Sequence, residues 1–198
     1  MNQQNETFNS LKISVLAILA EGLLFILGCI WIYIRSLEYQ FYYSLEAVLI
    51  SICFTLLLLA FNIFAFEVSK KSVYLNRIFQ DFFKTWIKPL CKNLSIQGSL
   101  IVAITSGLGE ELFFRGALNT EIINQLGTLT GLLIGSFLFA YLHFIKVSFD
   151  LIPILILYTF VGLIFSLIYY LSGNLLIPIL THCFYNFSVI IYIKLSES

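Results

Sequence analysis

Five ionisable side chains lie inside long apolar segments of this chain, in three short patterns. The patterns are Glu110-Glu111-x-x-x-Arg115, Phe139-x-x-x-His143 and His182-x-x-x-Asn186. An ionisable group at the centre of a membrane helix costs roughly 2.5–3.5 kcal/mol on insertion scales. Such groups in one chain therefore indicate a functional site inside a helical bundle.

The first pattern predicts a structural ion pair, Glu111 with Arg115, which we call the brace, and a separate carboxylate, Glu110, that is free to react. Glu111 and Arg115 are i, i+4 neighbours with the glutamate N-terminal, which is the favourable order for a helical ion pair. Glu110 points about 100° away from Glu111, so the two carboxylates should not share one role. A buried carboxylate such as Glu110 can serve as a general base or acid. A wholly structural polar cluster is the alternative.

His143 lies on a stripe of residues spaced four apart, which are Gly127, Gly131, Gly135, Phe139 and His143. Small residues on such a stripe let the backbone of a neighbouring helix come close. The stripe predicts that His143 faces the bundle rather than lipid. Taken alone, an interhelical hydrogen bond is as good an interpretation of this histidine as catalysis.

His182 and Asn186 share one face of the last apolar segment. Beside His182, the Asn186 amide can donate a hydrogen bond to a developing oxyanion. Glu110, His143 and His182 also make up the ligand set of a His₂Glu hydrolytic zinc site. The same side chains suit a metal-free site in which Glu110 and His143 activate a water molecule, so both chemistries stay open.

Composition identifies the class of protein that must position these groups. The 198 residues are 60% hydrophobic and 11% charged, against about 45–50% apolar and about 25% charged in soluble domains. This is typical of an integral membrane protein. The formal net charge is zero, so nothing in it points to nucleic acid.

The predicted fold is all-α, a polytopic bundle of about six transmembrane helices plus one amphipathic interfacial helix. The segments that reach the roughly 20 apolar residues of a span are 11–34, 45–67, 96–117, 128–147, 151–171 and 174–194. Between the second and third, residues 68–95 carry apolar residues at i, i+3, i+4 spacing and basic residues on the other face, which favours a helix lying in the membrane interface. We divide the chain into an N-terminal part (1–95) and a motif-bearing core (96–194).

Glu21 interrupts the first apolar segment at about mid-depth. It could line a substrate path or form a hydrogen bond with a neighbouring helix, and from the sequence we favour the hydrogen bond.

The distribution of basic residues predicts an orientation. With six spans, both termini, residues 68–95 and residues 147–150 share one side. That side holds Lys12, the six basic residues of 68–95, Lys146 and Lys194, whereas the other side has Arg35. The positive-inside rule then places both termini in the cytoplasm and the loop 119–126 outside.

At this point the chain resembles the CPBP family of intramembrane proteases, which contains the CAAX prenyl endopeptidases and the bacterial abortive-infection (Abi) and bacteriocin-immunity proteins. The resemblance covers about residues 96–190 and rests on the three patterns in this order and on their surroundings, GEELFFRGAL, FAYLHF and IPILTHCFYNF.

The resemblance implies a conical cavity and endopeptidase activity near a membrane-associated or lipidated C-terminal segment. Glu110 and His143 would activate the water, His182 and Asn186 would stabilise the oxyanion, and Glu111 with Arg115 would brace the site. The family is often labelled metalloprotease, so zinc is possible, although a metal-free glutamate mechanism is slightly favoured.

The resemblance also implies a site open to the cytosol and a cytosolic loop after the first motif helix, in conflict with the charge count. Either the charge-based orientation is wrong or this member works toward the other face. The expected location is multi-pass, in a bacterial inner membrane. The rival functions are a non-catalytic scaffold or bacteriocin-immunity protein that binds peptides in the same cavity, and a transporter with a Glu–His proton relay.

Overall fold

In a computed structural model, residues 3–144 and 149–196 are described. Lys146 and the end of the predicted segment 128–147 lie outside these residues. The described α-helices are α1 Gln3–Arg35, α2 Leu45–Ser69, α3 Val73–Phe82, α4 Lys88–Asn93, α5 Ile96–Glu111, α6 Thr120–Leu126, α7 Thr128–Leu142, α8 Ile152–Ser172 and α9 Leu176–Leu195. The all-helical class is confirmed, since this part of the chain holds no strand beyond one isolated bridge between Gln40 and Asn174.

Serine residues begin three of the helices. The hydroxyl of Ser44 accepts a hydrogen bond from the N–H of Ala47 at 3.0 Å, and Ser95 does the same for Gly98 at 3.0 Å. Ser72 caps α3 in the same way. These caps satisfy N–H groups that have no partner inside a helix. They therefore fix where α2, α3 and α5 start.

Two opposite ends of the bundle can be distinguished, which we call the basic end and the distal end. At the distal end, the Arg35 guanidinium binds the Glu121 carboxylate at 2.7 Å, and the Asn174 amide donates to the carbonyl of Tyr42 at 2.9 Å. At the basic end, Lys194 donates to the carbonyl of Leu94 at 2.6 Å. The predicted loop 119–126 is therefore helical, as α6, and lies at the end opposite to the connector 68–95.

The connector packs under the bundle at the basic end. Its apolar side is partly covered, with Ile78 and Cys91 buried, while Val73 and Trp86 remain exposed. Phe82 contacts the rings of Phe144 and Tyr158 at centroid distances of 6.0 and 6.1 Å. The predicted amphipathic segment is therefore helical and reaches the space below α7.

Four described helices are long and apolar enough to cross a membrane, and these are Ser14–Arg35, Leu45–Ser69, Ile152–Ser172 and Leu176–Leu195. The predicted count of six is not confirmed. Thr128–Leu142 is apolar but shorter. The predicted segment 96–117 changes from α to π geometry after Glu111 and continues helically to Leu126.

Candidate functional site

A π-helical stretch, Leu112–Asn119, follows α5 immediately after the two glutamates. It widens the helix so that the Thr120 hydroxyl donates to the carbonyl of Arg115, five residues earlier, at 2.9 Å. Short π segments inside α-helices occur frequently at functional sites. Nothing in the sequence pattern indicated this one.

Glu111 binds both Arg115, its predicted partner, and His182 on α9. Its Oε1 accepts hydrogen bonds from Nη1 of Arg115 at 3.0 Å and from Nδ1 of His182 at 2.7 Å. Glu111 and Arg115 are completely buried, and His182 is 4% exposed. The carboxylate therefore balances a buried guanidinium and also sets the orientation of the His182 ring, with Nδ1 as the donor.

Arg115 is held from several directions in a dry pocket. Its Nη2 donates to the carbonyl of Gly162 at 3.1 Å. The guanidinium carbon lies 4.3 Å from the ring centroid of Phe139 and 5.2 Å from that of Phe165. A guanidinium stacks favourably on aromatic faces. Arg115 thus fastens α8 and α7 to the helix that carries the glutamates.

Glu110 and His143 form a second pair, separate from the brace. Oε2 of Glu110 lies 3.5 Å from Nε2 of His143. Nδ1 of His143 donates to the carbonyl of Phe139 at 2.7 Å, because a carbonyl oxygen can only accept. In the neutral imidazole, Nε2 is then an acceptor aimed at the same region as the carboxylate. Two acceptors this close together suit a water molecule that donates one hydrogen to each.

His143 lies where α7 ends, and this explains its access. It follows Leu142, the last residue of α7, and its ring contacts that of Tyr158 on α8 at 5.1 Å. The His143 side chain is 29% exposed, whereas that of Glu110 is 10% exposed. Because α7 ends at the basic end of the bundle, His143 lies toward that end.

The glycines of the predicted stripe let α7 pack closely against the preceding helical segment. A Cβ on Gly131 would overlap Ile123 of α6, and a Cβ on Gly135 would overlap the amide of Asn119. The stripe's prediction of close packing is confirmed at Gly131 and Gly135 but not at Gly127, where a Cβ would meet nothing within 4 Å. Phe139, one turn before His143, is 3% exposed and contacts the rings of Phe114 and His143.

Asn186 lies on the same helix as His182, as the spacing predicted. Its Nδ2 donates to the hydroxyl of Ser106 on α5 at 2.8 Å. An asparagine amide has two N–H donors, so one is left for a ligand. Sequence reasoning missed Ser106, because a single serine among apolar residues gives no signal of a partner 80 positions away.

The predicted zinc ligand set stays a prediction. Glu110 and His143 are close, and Nδ1 of His182 is held by Glu111, which leaves Nε2 of His182 free. Throughout the described ranges 3–144 and 149–196, no group of three His, Cys, Asp or Glu side chains is already arranged to hold a metal ion.

Comparison with known proteins gives one family. Residues 92–188 match the family described as type II CAAX prenyl endopeptidase Rce1-like. The matched segment contains every residue of the three patterns. No curated protein and no solved structure shows a significant match to the chain.

Proposed function

Because the chain belongs to the Rce1-like family of type II CAAX prenyl endopeptidases, we propose that it hydrolyses a peptide bond near a membrane-associated or lipidated C-terminal segment of a protein or peptide. The protein is an integral membrane protein of a protease family. The observation that carries the specific proposal is the 3.5 Å approach of Glu110 Oε2 to His143 Nε2, with the other ring nitrogen occupied by the Phe139 carbonyl.

In the proposed reaction, Glu110 and His143 accept a proton from a water molecule whose oxygen attacks the scissile carbonyl carbon. The carbonyl oxygen becomes an oxyanion. The protonated pair then delivers the proton to the amide nitrogen as the C–N bond breaks, which leaves a carboxylate and an amine. No step is assigned to a metal.

His182 and Asn186 are proposed to stabilise the oxyanion. Glu111 accepts from Nδ1 of His182, and a protonated His182 would carry a second N–H at Nε2 to donate to the oxyanion. The second Nδ2 hydrogen of Asn186 is the other donor. Such preorganised donors are effective because they need no rearrangement as charge develops on the oxygen.

In this proposal the substrate reaches the site from the basic end, toward which His143 lies, and the positive-inside rule places that end in the cytoplasm. The predicted loop 119–126, which forms α6 in the structure, lies at the distal end, where Glu121 binds Arg35. A site open to the cytosol therefore does not require that loop to be cytosolic. We place the protein in a bacterial inner membrane, in keeping with the small chain.

The test compares protein termini in cells that express wild type, Glu110→Gln or His143→Ala at equal levels, followed by turnover of the identified substrate by purified protein. Loss of a general base should lower kcat by about 10²–10⁴-fold with little change in Tm. Tyr141→Ala, at a 48% exposed position on α7, is the control and should stay active. A fully active Glu110→Gln protein would refute the mechanism, whereas protein termini that are the same in all strains, including one that lacks the protein, would favour a non-catalytic peptide-binding role.

A further inference from the structure

Glu21 on α1 lies beside the catalytic carboxylate, although α1 is outside the matched residues 92–188. The backbone of α1 meets α5 at this point. A Cβ on Gly109 would overlap the carbonyl oxygen of Glu21, so the absence of a side chain there allows the contact. Gly109 directly precedes Glu110, and the first span therefore forms one wall of the site.

The carboxyl group of Glu21 has electrostatic neighbours in the site, and one of its oxygens lacks a hydrogen-bond partner among the described residues. It is close enough to interact with the charges of Glu110 and His182. Its Oε2 is buried and has no hydrogen-bond partner among the described residues, and the same holds for Oε2 of Glu110. A hydrogen bond to a neighbouring helix, which the sequence favoured, is not observed for this oxygen. A buried unpaired carboxyl oxygen is costly, so this oxygen is available to a hydrogen-bond donor from a bound molecule.

The charge of this buried cluster indicates what that partner is. The cluster contains the carboxyl groups of Glu21, Glu110 and Glu111, but Arg115 is its only permanently charged cation among the described residues. Arg115 is already bound to Glu111. A cationic side chain would complement the excess negative charge, whereas an acidic one would be repelled.

We propose that Glu21 is a specificity-determining residue whose carboxylate binds a Lys or Arg side chain of the peptide substrate next to the scissile bond. This inference rests on the proposed function. Glu110 performs the chemistry, and Glu21, from the N-terminal part of the chain, selects the peptide on which it acts.

The test uses membrane-anchored synthetic peptides, randomised in sequence and then resynthesised with Lys, Met or Glu at each position flanking the cleaved bond. Wild type should cleave one Lys peptide about tenfold better than its Met equivalent, mainly through KM, as expected for one charge-assisted hydrogen bond. Glu21→Gln should abolish that difference, and Glu21→Asp should retain part of it. Glu46→Gln, which removes an exposed carboxylate at the start of α2, is the matched control and should preserve it.

Equal cleavage of Lys and Met peptides by wild type would overturn the inference, as would a preference that survives Glu21→Gln. A uniform fall in kcat for all peptides would also overturn it, because it would show a structural or proton-transfer role. Binding of the same peptides to Glu110→Gln protein provides a readout without turnover. If wild type cleaves nothing, the proposed function fails, and a Glu21-dependent binding preference for Lys still decides the inference.

Discussion

Replacing Glu111 by glutamine tests whether one carboxylate both balances a buried charge and orients a catalytic ring. The substitution keeps the size of the side chain but removes the charge that faces Arg115 and His182, at 3.0 and 2.7 Å. Breaking a buried ion pair by removing one partner costs about 3–5 kcal/mol. Since the glutamine oxygen still accepts a hydrogen bond, we expect about 3 kcal/mol, or a fall in Tm of about 6–12 °C.

The double variant Glu111→Gln/Arg115→Met separates the two roles. Replacing both members of a buried pair is often nearly neutral, so the double variant should recover most of the lost Tm. Its turnover should stay low, because the Nδ1 of His182 still lacks a carboxylate. The exposed pair of Glu67 and Lys70, at 2.6 Å, supplies the control, since Glu67→Gln should change stability by less than about 1 kcal/mol.

The measurements are thermal unfolding in detergent and initial rates on the substrate found from the cellular termini. A Glu111→Gln protein with unchanged Tm would refute the charge-balance argument. A double variant that is both stable and fully active would refute the orienting role of Glu111 on His182.

Three further predictions concern packing, pH and metal. Gly135→Ala should lower Tm by several degrees, because its Cβ would overlap Asn119. The control Gly22→Ala, whose Cβ would meet nothing within 4 Å, should leave Tm unchanged. Equal Tm values for the two variants would contradict the packing argument. The hydrogen bond from Arg35 lowers the pKa of Glu121 below its ordinary 4.5, so the stabilisation is present above that pH and lost as pH falls through the lowered value. Arg35→Met should therefore flatten the acid limb of a Tm–pH curve, and an unchanged limb would argue against the pair. Activity should survive strong chelators with no stoichiometric zinc by elemental analysis, whereas inactivation reversed by zinc would establish a metal mechanism.

Much of the site's local arrangement could be predicted from spacing alone. The Glu111–Arg115 pair and the shared face of His182 and Asn186 follow from i, i+4 geometry, which holds in any helix. The close approach along the stripe at Gly131 and Gly135 follows from the absence of side chains. Their catalytic roles remain proposals.

The number of membrane spans could be predicted less well. Hydropathy records how apolar a segment is, but not whether its helix stays regular. The π stretch after Glu111 depends on how the widened turn packs against other helices, and no residue type specifies it. The predicted third span was therefore read as one uniform helix.

The sequence by itself determined the membrane class and the all-helical class, because these depend on local composition and on neighbours within one turn. Only the tertiary structure decided that Glu111 binds His182, that Asn186 binds Ser106, and that Glu21 lies beside Glu110. Those partners are 71, 80 and 89 positions apart. Contacts at such separations arise only when whole helices pack, and the backbone approach at Gly109 is what places the first span against the site.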